Sequence, residues 1–140
     1  MTATPQEVLM LALINRARLD PAGEAARYGI DLNEGLAPGT ISTRSKQPLA
    51  FSEALNNAAD AHSQAMIDGD FFAHTNPNTG STPQSRGNAA GYSGGVGENI
   101  AFSGSTGAID PTQMIYAEER DLFVDAGIPD RGHRTNLLYS

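Results

Sequence analysis

Three histidines and a few isolated carboxylates are the residues through which this 140-residue chain could do chemistry. His74 and His133 each lie among turn-forming residues beside apolar anchors, Phe71-Phe72 before one and Leu137-Leu138 after the other. Loops held by such anchors are where binding side chains concentrate. Glu98 stands in "GYSGGVGENIAFSG", where Gly95 and Gly97 let the backbone approach another segment closely. Glu118, Asp121 and Asp125 recur at i, i+3 and i+7, one face of a helix, while Glu119 points elsewhere. Spacing alone favours a solvated acidic surface there. His62 falls on the apolar face of a helix and is expected to be a core histidine hydrogen-bonded to backbone.

Two histidines and two carboxylates suit a first-row divalent metal, zinc above all, and suit acid–base chemistry equally well. The spacing of His74, Glu98, Glu118 and His133 matches no local metal motif such as HExxH. Ser93 in "GYSGG" fits the letters G-x-S-x-G, with glycine after the serine, but no strand is expected before it, so it does not read as a nucleophile turn. The absence of cysteine excludes disulfides, thiolate metal sites and a cysteine nucleophile. A net charge of −7, with Lys46 the only lysine and the arginines scattered, argues against nucleic acid or an anionic membrane as partner. No apolar run is long enough for a transmembrane helix. The opening "MTATPQEVLMLALINRARLD" does not read as a signal peptide, since its first charge is acidic and its apolar run is broken by Asn15.

The elements that must position these residues are mostly helical. "TPQE" reads as a capping box that opens a helix, with Val8, Leu11, Ala12 and Ile14 as its apolar stripe up to Leu19. Asp20-Pro21 restarts a short helix that Gly29 terminates. Residues 30–48 read as loop. Ser52 caps a stronger helix ending at Gly69, with Leu55, Ala58, Ala59, His62, Ala65 and Met66 on one face. "DFFAHTNPNTGSTPQSRGNAAGYSGGVG" reads as a long surface loop. "ENIAFS" reads as a strand anchored by Ile100 and Phe102. Another helix runs from about Pro111 to Asp125, with Met114, Ile115, Leu122 and Phe123 apolar and Gly127 as C-cap. "GHRTNLLYS" is expected to begin a second strand.

Taken in order, these motifs resemble the CAP superfamily: the cysteine-rich secretory protein, antigen 5 and pathogenesis-related 1 group, with SCP-like domains, in its bacterial form. The resemblance rests on "LALINRAR", on "FFAH" with the loop ending in R…GY, on "GENIA" and on "GHRTNLL", and it covers the chain from about Val8 onward. It implies an α+β fold: an α-β-α sandwich with a small antiparallel sheet between helices, forming a single domain over residues 1–140. By this resemblance the family's C-terminal strands are expected to be missing after Ser140, with open sheet edges and partner-chain pairing as the consequence.

The same resemblance implies a cleft tetrad of His74, Glu98, Glu118 and His133. "IYAE" matches a W-x-x-E motif with Ile115 in the tryptophan position, while Asp121 and Asp125 lie nearer His133. It implies a secreted, extracellular binding module. The cleft would hold a divalent cation such as zinc through His74 and His133, and a small-molecule, lipid-like, glycan or protein ligand. One alternative is a metal-dependent hydrolase or peptidase with Glu98, or Glu118, as the catalytic acid–base group. The other is a structural or adhesive domain of a larger extracellular protein, with the tetrad as a stabilising polar network.

Overall fold

Among the described residues, proline after a capping residue starts four of the six α-helices. In α1 (Pro5–Leu19) the Thr4 hydroxyl accepts the amide of Glu7, and the Glu7 carboxylate accepts the amide of Thr4. Asp20 then caps α2 (Pro21–Arg27), Thr82 caps α4 (Pro83–Ala89) and Asp110 caps α5 (Pro111–Val124). Ser52 caps α3 (Glu53–Asp68), and α6 (Gly132–Leu137) follows a 3-10 turn at Pro129–Arg131. Each cap satisfies backbone donors that a helix start would leave orphaned. The computed structural model describes residues 3–140.

The chain packs as two compact units. One is built around residues 51–100 and contains α3 and α4, which pack on each other. The other comprises residues 4–50 and 101–140; in it α1 packs on α5 and α2, and α5 packs on α6. Among the described residues, every buried apolar side chain lies in this second unit. Its core is Ala17, Ala25, Leu32, Ile41, Leu122, Phe123, Leu137 and Leu138, with Leu13 also buried. Fully burying a leucine or phenylalanine of this kind contributes roughly 1.5–3 kcal/mol. Two arginines tie its loops to its helices. Arg134 is wholly buried and donates to the carbonyls of Leu32, Glu34, Phe123 and Val124. Arg18 donates to those of Gln47, Leu137 and Tyr139.

The expected α-β-α sandwich is not what forms. Among the described residues there is no strand and no bridge, so there is no antiparallel sheet and no open sheet edge through which a partner chain could pair. A strand persists only as part of a ladder. "ENIAFS" is a six-residue run between glycine- and serine-rich stretches, and no backbone ladder forms on it. Its intended anchor Phe102 is 82% exposed. "GHRTNLL" becomes α6 because the Asp125 carboxylate accepts the amide of His133 at 2.8 Å and so caps a helix start.

Smaller differences have local causes. The stripe on α1 is displaced: Leu13 and Ala17 are buried, and Val8 is exposed. The long loop after α3 contains α4, nucleated by a Thr82–Ser85 capping box. Asp125, in the left-handed region, takes the C-cap of α5 that Gly127 was expected to fill. Residues 30–48 are loop, and Gly29 sits at φ +68° just past α2, as the sequence indicates.

Candidate functional site

In the first unit the site is assembled from α3 outward. His62 is buried on α3, and its Nε2–H donates to the carbonyl of Ala73 at 2.9 Å. The Phe71 ring lies against it, centroids 6.0 Å apart. The core histidine therefore pins the backbone one residue before His74. Asn76 closes the following turn: its side-chain oxygen accepts the amides of Asn78 and Thr79, and its amide donates to the carbonyl of Ser81. That turn delivers the chain to Thr82 and α4.

From α4, two side chains reach back. Gln84 donates to the carbonyl of Gly94 at 2.9 Å and accepts the amide of Val96 at 3.0 Å, so it fixes the glycine-rich loop. Arg86 donates to the carbonyls of Ser81 and His74, at 2.9 and 3.0 Å, and to Glu98 Oε2 at 2.7 Å. The other oxygen of Glu98 lies 3.0 Å from His74 Nδ1. Both oxygens of Glu98 are thus engaged, one by a guanidinium and one by an imidazole. A carboxylate accepts, so Nδ1 of His74 is the donor, and the neutral ring presents Nε2 as its unprotonated nitrogen.

A pocket of about 210 Å³ adjoins this pair. Leu55, Ala58 and Ala59 of α3, Gly87 of α4 and Val96 supply its apolar lining; Arg86, Glu98 and Asn99 supply its polar part. Largely apolar pockets with a few convergent polar groups are the usual form of a binding site.

His133 lies in the second unit, and its Nδ1 is 2.7 Å from Asp125 Oδ1. The other Asp125 oxygen accepts the amides of His133 and Arg134, at 2.8 and 3.4 Å. The acid on this histidine is therefore Asp125, one of the two sequence alternatives. Glu118 is half-buried on α5, and Asp121 is exposed and paired with Arg120. Each unit joins one histidine to one carboxylate: His74 to Glu98, and His133 to Asp125.

Within each unit, the histidine and its carboxylate stand as a pair. Among the described residues no three or more His, Asp or Glu side chains stand where they could share an ion. The Glu98 charge is already met by Arg86, and both oxygens of Asp125 are engaged. Each carboxylate contacts the Nδ1 of its imidazole, the position from which a carboxylate orients the ring.

One buried cluster went unread in the sequence. Glu119 and Glu24 are both buried in the second unit. Arg16 makes a bidentate contact with Glu24, its Nε 2.9 Å from Oε2 and its Nη2 on Oε1. The Tyr28 hydroxyl donates to Glu119 Oε2, with Arg16 at 3.8 Å. Glu119 Oε1 is buried without a hydrogen-bond partner. Burial raises the Glu119 carboxyl above its ordinary range and the Glu24 charge adds to this, against the Tyr28 hydrogen bond and the charges of Arg16 and Arg27. Burial, with the Glu119 carboxylate beside it, also raises the Tyr28 hydroxyl. The signal was available in the sequence: Glu119 is four residues after Ile115 and three before Leu122, on the apolar face.

The family model described as "CAP: Cysteine-rich secretory protein family" matches residues 11–140. No curated protein and no solved structure gives a match.

Proposed function

Because the chain belongs to the CAP family, we propose that it is an extracellular binding module that recognises its ligand at the His74–Glu98–Arg86 group and the apolar pocket beside it. No helix among the described residues is long and apolar enough to cross a membrane. The observation that carries the reading is the engagement of both Glu98 oxygens. A general base needs an oxygen directed at the water or group that it deprotonates. Glu98 instead spans Arg86 and His74, which makes it a brace for the imidazole.

The ligand then meets Nε2 of His74, which accepts a hydrogen bond or coordinates a cation such as zinc that arrives with the ligand or binds labilely. The pocket supplies desolvated apolar contact alongside. A metal-dependent hydrolase is the weaker reading, since it requires Glu98 to hold a water and several donors to hold the ion. In the second unit, Asp125 and His133 form a brace for the start of α6, which favours a structural role for that pair.

Calorimetric titration of the protein with zinc, calcium and magnesium, together with a panel of peptide and ester substrates, tests this. The expected outcome is weak zinc binding that is lost in His74→Ala, with no turnover. Turnover that disappears in Glu98→Gln would overturn the binding-module reading.

A further inference from the structure

Arg16, Arg27, Arg86, Arg120, Arg131 and Arg134 each pair with a carboxylate. Acids outnumber bases in this chain, 16 Asp and Glu against 9 Lys and Arg, so a paired cation is its ordinary state. Arg18, Arg44 and Lys46 depart from it: among the described residues no carboxylate pairs with any of them. They come from two adjoining segments of the second unit, the last turn of α1 and residues 42–47. The Lys46 amide donates to the Arg18 carbonyl at 2.8 Å, and the Ser45 hydroxyl to that of Leu19 at 2.6 Å. The Arg18 guanidinium returns to the same segment, its Nε 2.8 Å from the carbonyl oxygen of Gln47. The Lys46 ammonium donates to the carbonyls of Ser42 and Arg44, at 3.1 and 3.3 Å.

Arg18 and Lys46 are 5% and 8% exposed, while Arg44 is on the surface. Carbonyls satisfy hydrogen bonds but supply no opposite charge, and a buried cation without one is costly. Its effect is visible: burial lowers the Arg18 guanidinium, and burial with the Arg18 charge lowers the Lys46 ammonium. Arg16, which Glu24 holds, is raised instead. Donors also remain. Arg18 Nη2 has no acceptor among the described residues, and Lys46 uses two of its three N–H groups. We propose that the place where residues 42–47 meet the end of α1 binds the phosphate group of a small phosphomonoester, through Arg18 Nη2 and Lys46 Nζ. Such a group carries about −1.5 to −2 at pH 7 and so matches two cations, where a carboxylate matches one. The Arg18 fork is already spent on carbonyls, so separate donors must meet separate oxygens, which suits a tetrahedral oxyanion. Arg44 adds positive potential on the exposed side. The net charge of −7 disfavours a phospholipid surface as the source. The site lies in the second unit and is independent of the His74–Glu98 group.

Lys46 is the only lysine, so the whole chain made with carbon-labelled lysine gives one lysine signal. That signal is followed against pH with glycerol phosphate, sodium acetate, sodium chloride at equal ionic strength, and phosphatidylcholine vesicles containing phosphatidic acid. Glycerol phosphate is expected to shift the signal saturably and to raise the Lys46 pKa from its lowered value, while the other three leave it in place. It is also expected to raise the melting temperature of the wild type and not that of Lys46→Gln, which keeps a donor for the carbonyls but not the charge. If Lys46→Gln does not fold, the lysine titration of the wild type decides alone. Acetate acting as strongly as glycerol phosphate would overturn the assignment in favour of a carboxylate. A response to the vesicles alone would overturn the small-molecule source. A signal that moves no more with glycerol phosphate than with chloride would overturn the site outright.

Discussion

Arg86 Nη2 lies 2.7 Å from Glu98 Oε2 and 3.0 Å from the carbonyl oxygen of His74. One guanidinium therefore holds both the backbone of the histidine and the carboxylate that orients its ring. Three segments distant in sequence meet at this group: the turn after α3, α4 itself and the glycine-rich loop. The geometry of His74 is set by Arg86 as much as by Glu98.

Arg86→Met should unpair Glu98 and release the His74 carbonyl. Both partners are mostly buried, at 11% and 17% side-chain exposure. Losing charge-assisted hydrogen bonds of this kind costs about 2 kcal/mol. Urea denaturation should show that loss, with Arg86→Lys recovering part of it. Lysine supplies the charge but not the planar fork that spans three acceptors.

Arg134 is predicted to be the most sensitive single position in the second unit. It has no exposed surface and satisfies four carbonyls. Arg134→Met keeps much of the side-chain volume but leaves those carbonyls unpaired, at a cost of about 3 kcal/mol or more. The same denaturation measurement should show a shift in midpoint larger than for Arg86→Met. An equal or smaller shift would mean that water satisfies the carbonyls.

Glu119 predicts a specific pH dependence. Its folded pKa is raised above the ordinary 4.5 by burial. The folded state therefore binds more protons than the unfolded state as Glu119 titrates. Its contribution is fully present below pH 4.5 and is lost as pH rises through the folded pKa. Glu119→Gln mimics the protonated group. The difference in melting temperature between wild type and Glu119→Gln should move in favour of the glutamine variant as pH is raised from about 4 to 8. A difference that is constant over that range would show that folding does not raise the Glu119 pKa.

The helical part of this architecture was legible because its signals are local. Thr4-Pro5 with Glu7, Ser52 before an amphipathic run and Asp110-Pro111 each specify a start within four residues. The same Thr-Pro signal at Thr82-Pro83 was hidden by the glycine and asparagine around it, so α4 and its contribution, Arg86, read as loop. The sheet failed for the opposite reason. A strand needs a partner elsewhere in the chain, and among the described residues no segment pairs with the alternating run 98–103. His74 with Glu98 was suggested by motif order, and their contact is 3.0 Å. Asp125 with His133 was named only as an alternative, because the left-handed residue that ends α5 swings the carboxylate onto the next helix. No spacing rule expresses that turn.

His62 offers a check on how the site is positioned. Its bond to Ala73 fixes the segment that carries His74. His62→Phe preserves ring packing near Phe71 and removes the donor, at a cost of about 1–2 kcal/mol from the unpaired carbonyl. The His74 ring resonances should shift and broaden. Unchanged His74 signals would show that Arg86 alone holds the segment.

The most direct measurement is nitrogen NMR of the His74 imidazole at about pH 8, where the neutral ring dominates for an ordinary histidine. With Glu98 Oε1 as acceptor, the ring should be in the Nδ1–H form, with Nε2 unprotonated and presented to a ligand. In Arg86→Met, that preference should relax toward the mixture of an unrestrained histidine. A wild-type ring protonated on Nε2, or already an unrestrained mixture, would contradict the claim that Glu98 braces His74 for recognition.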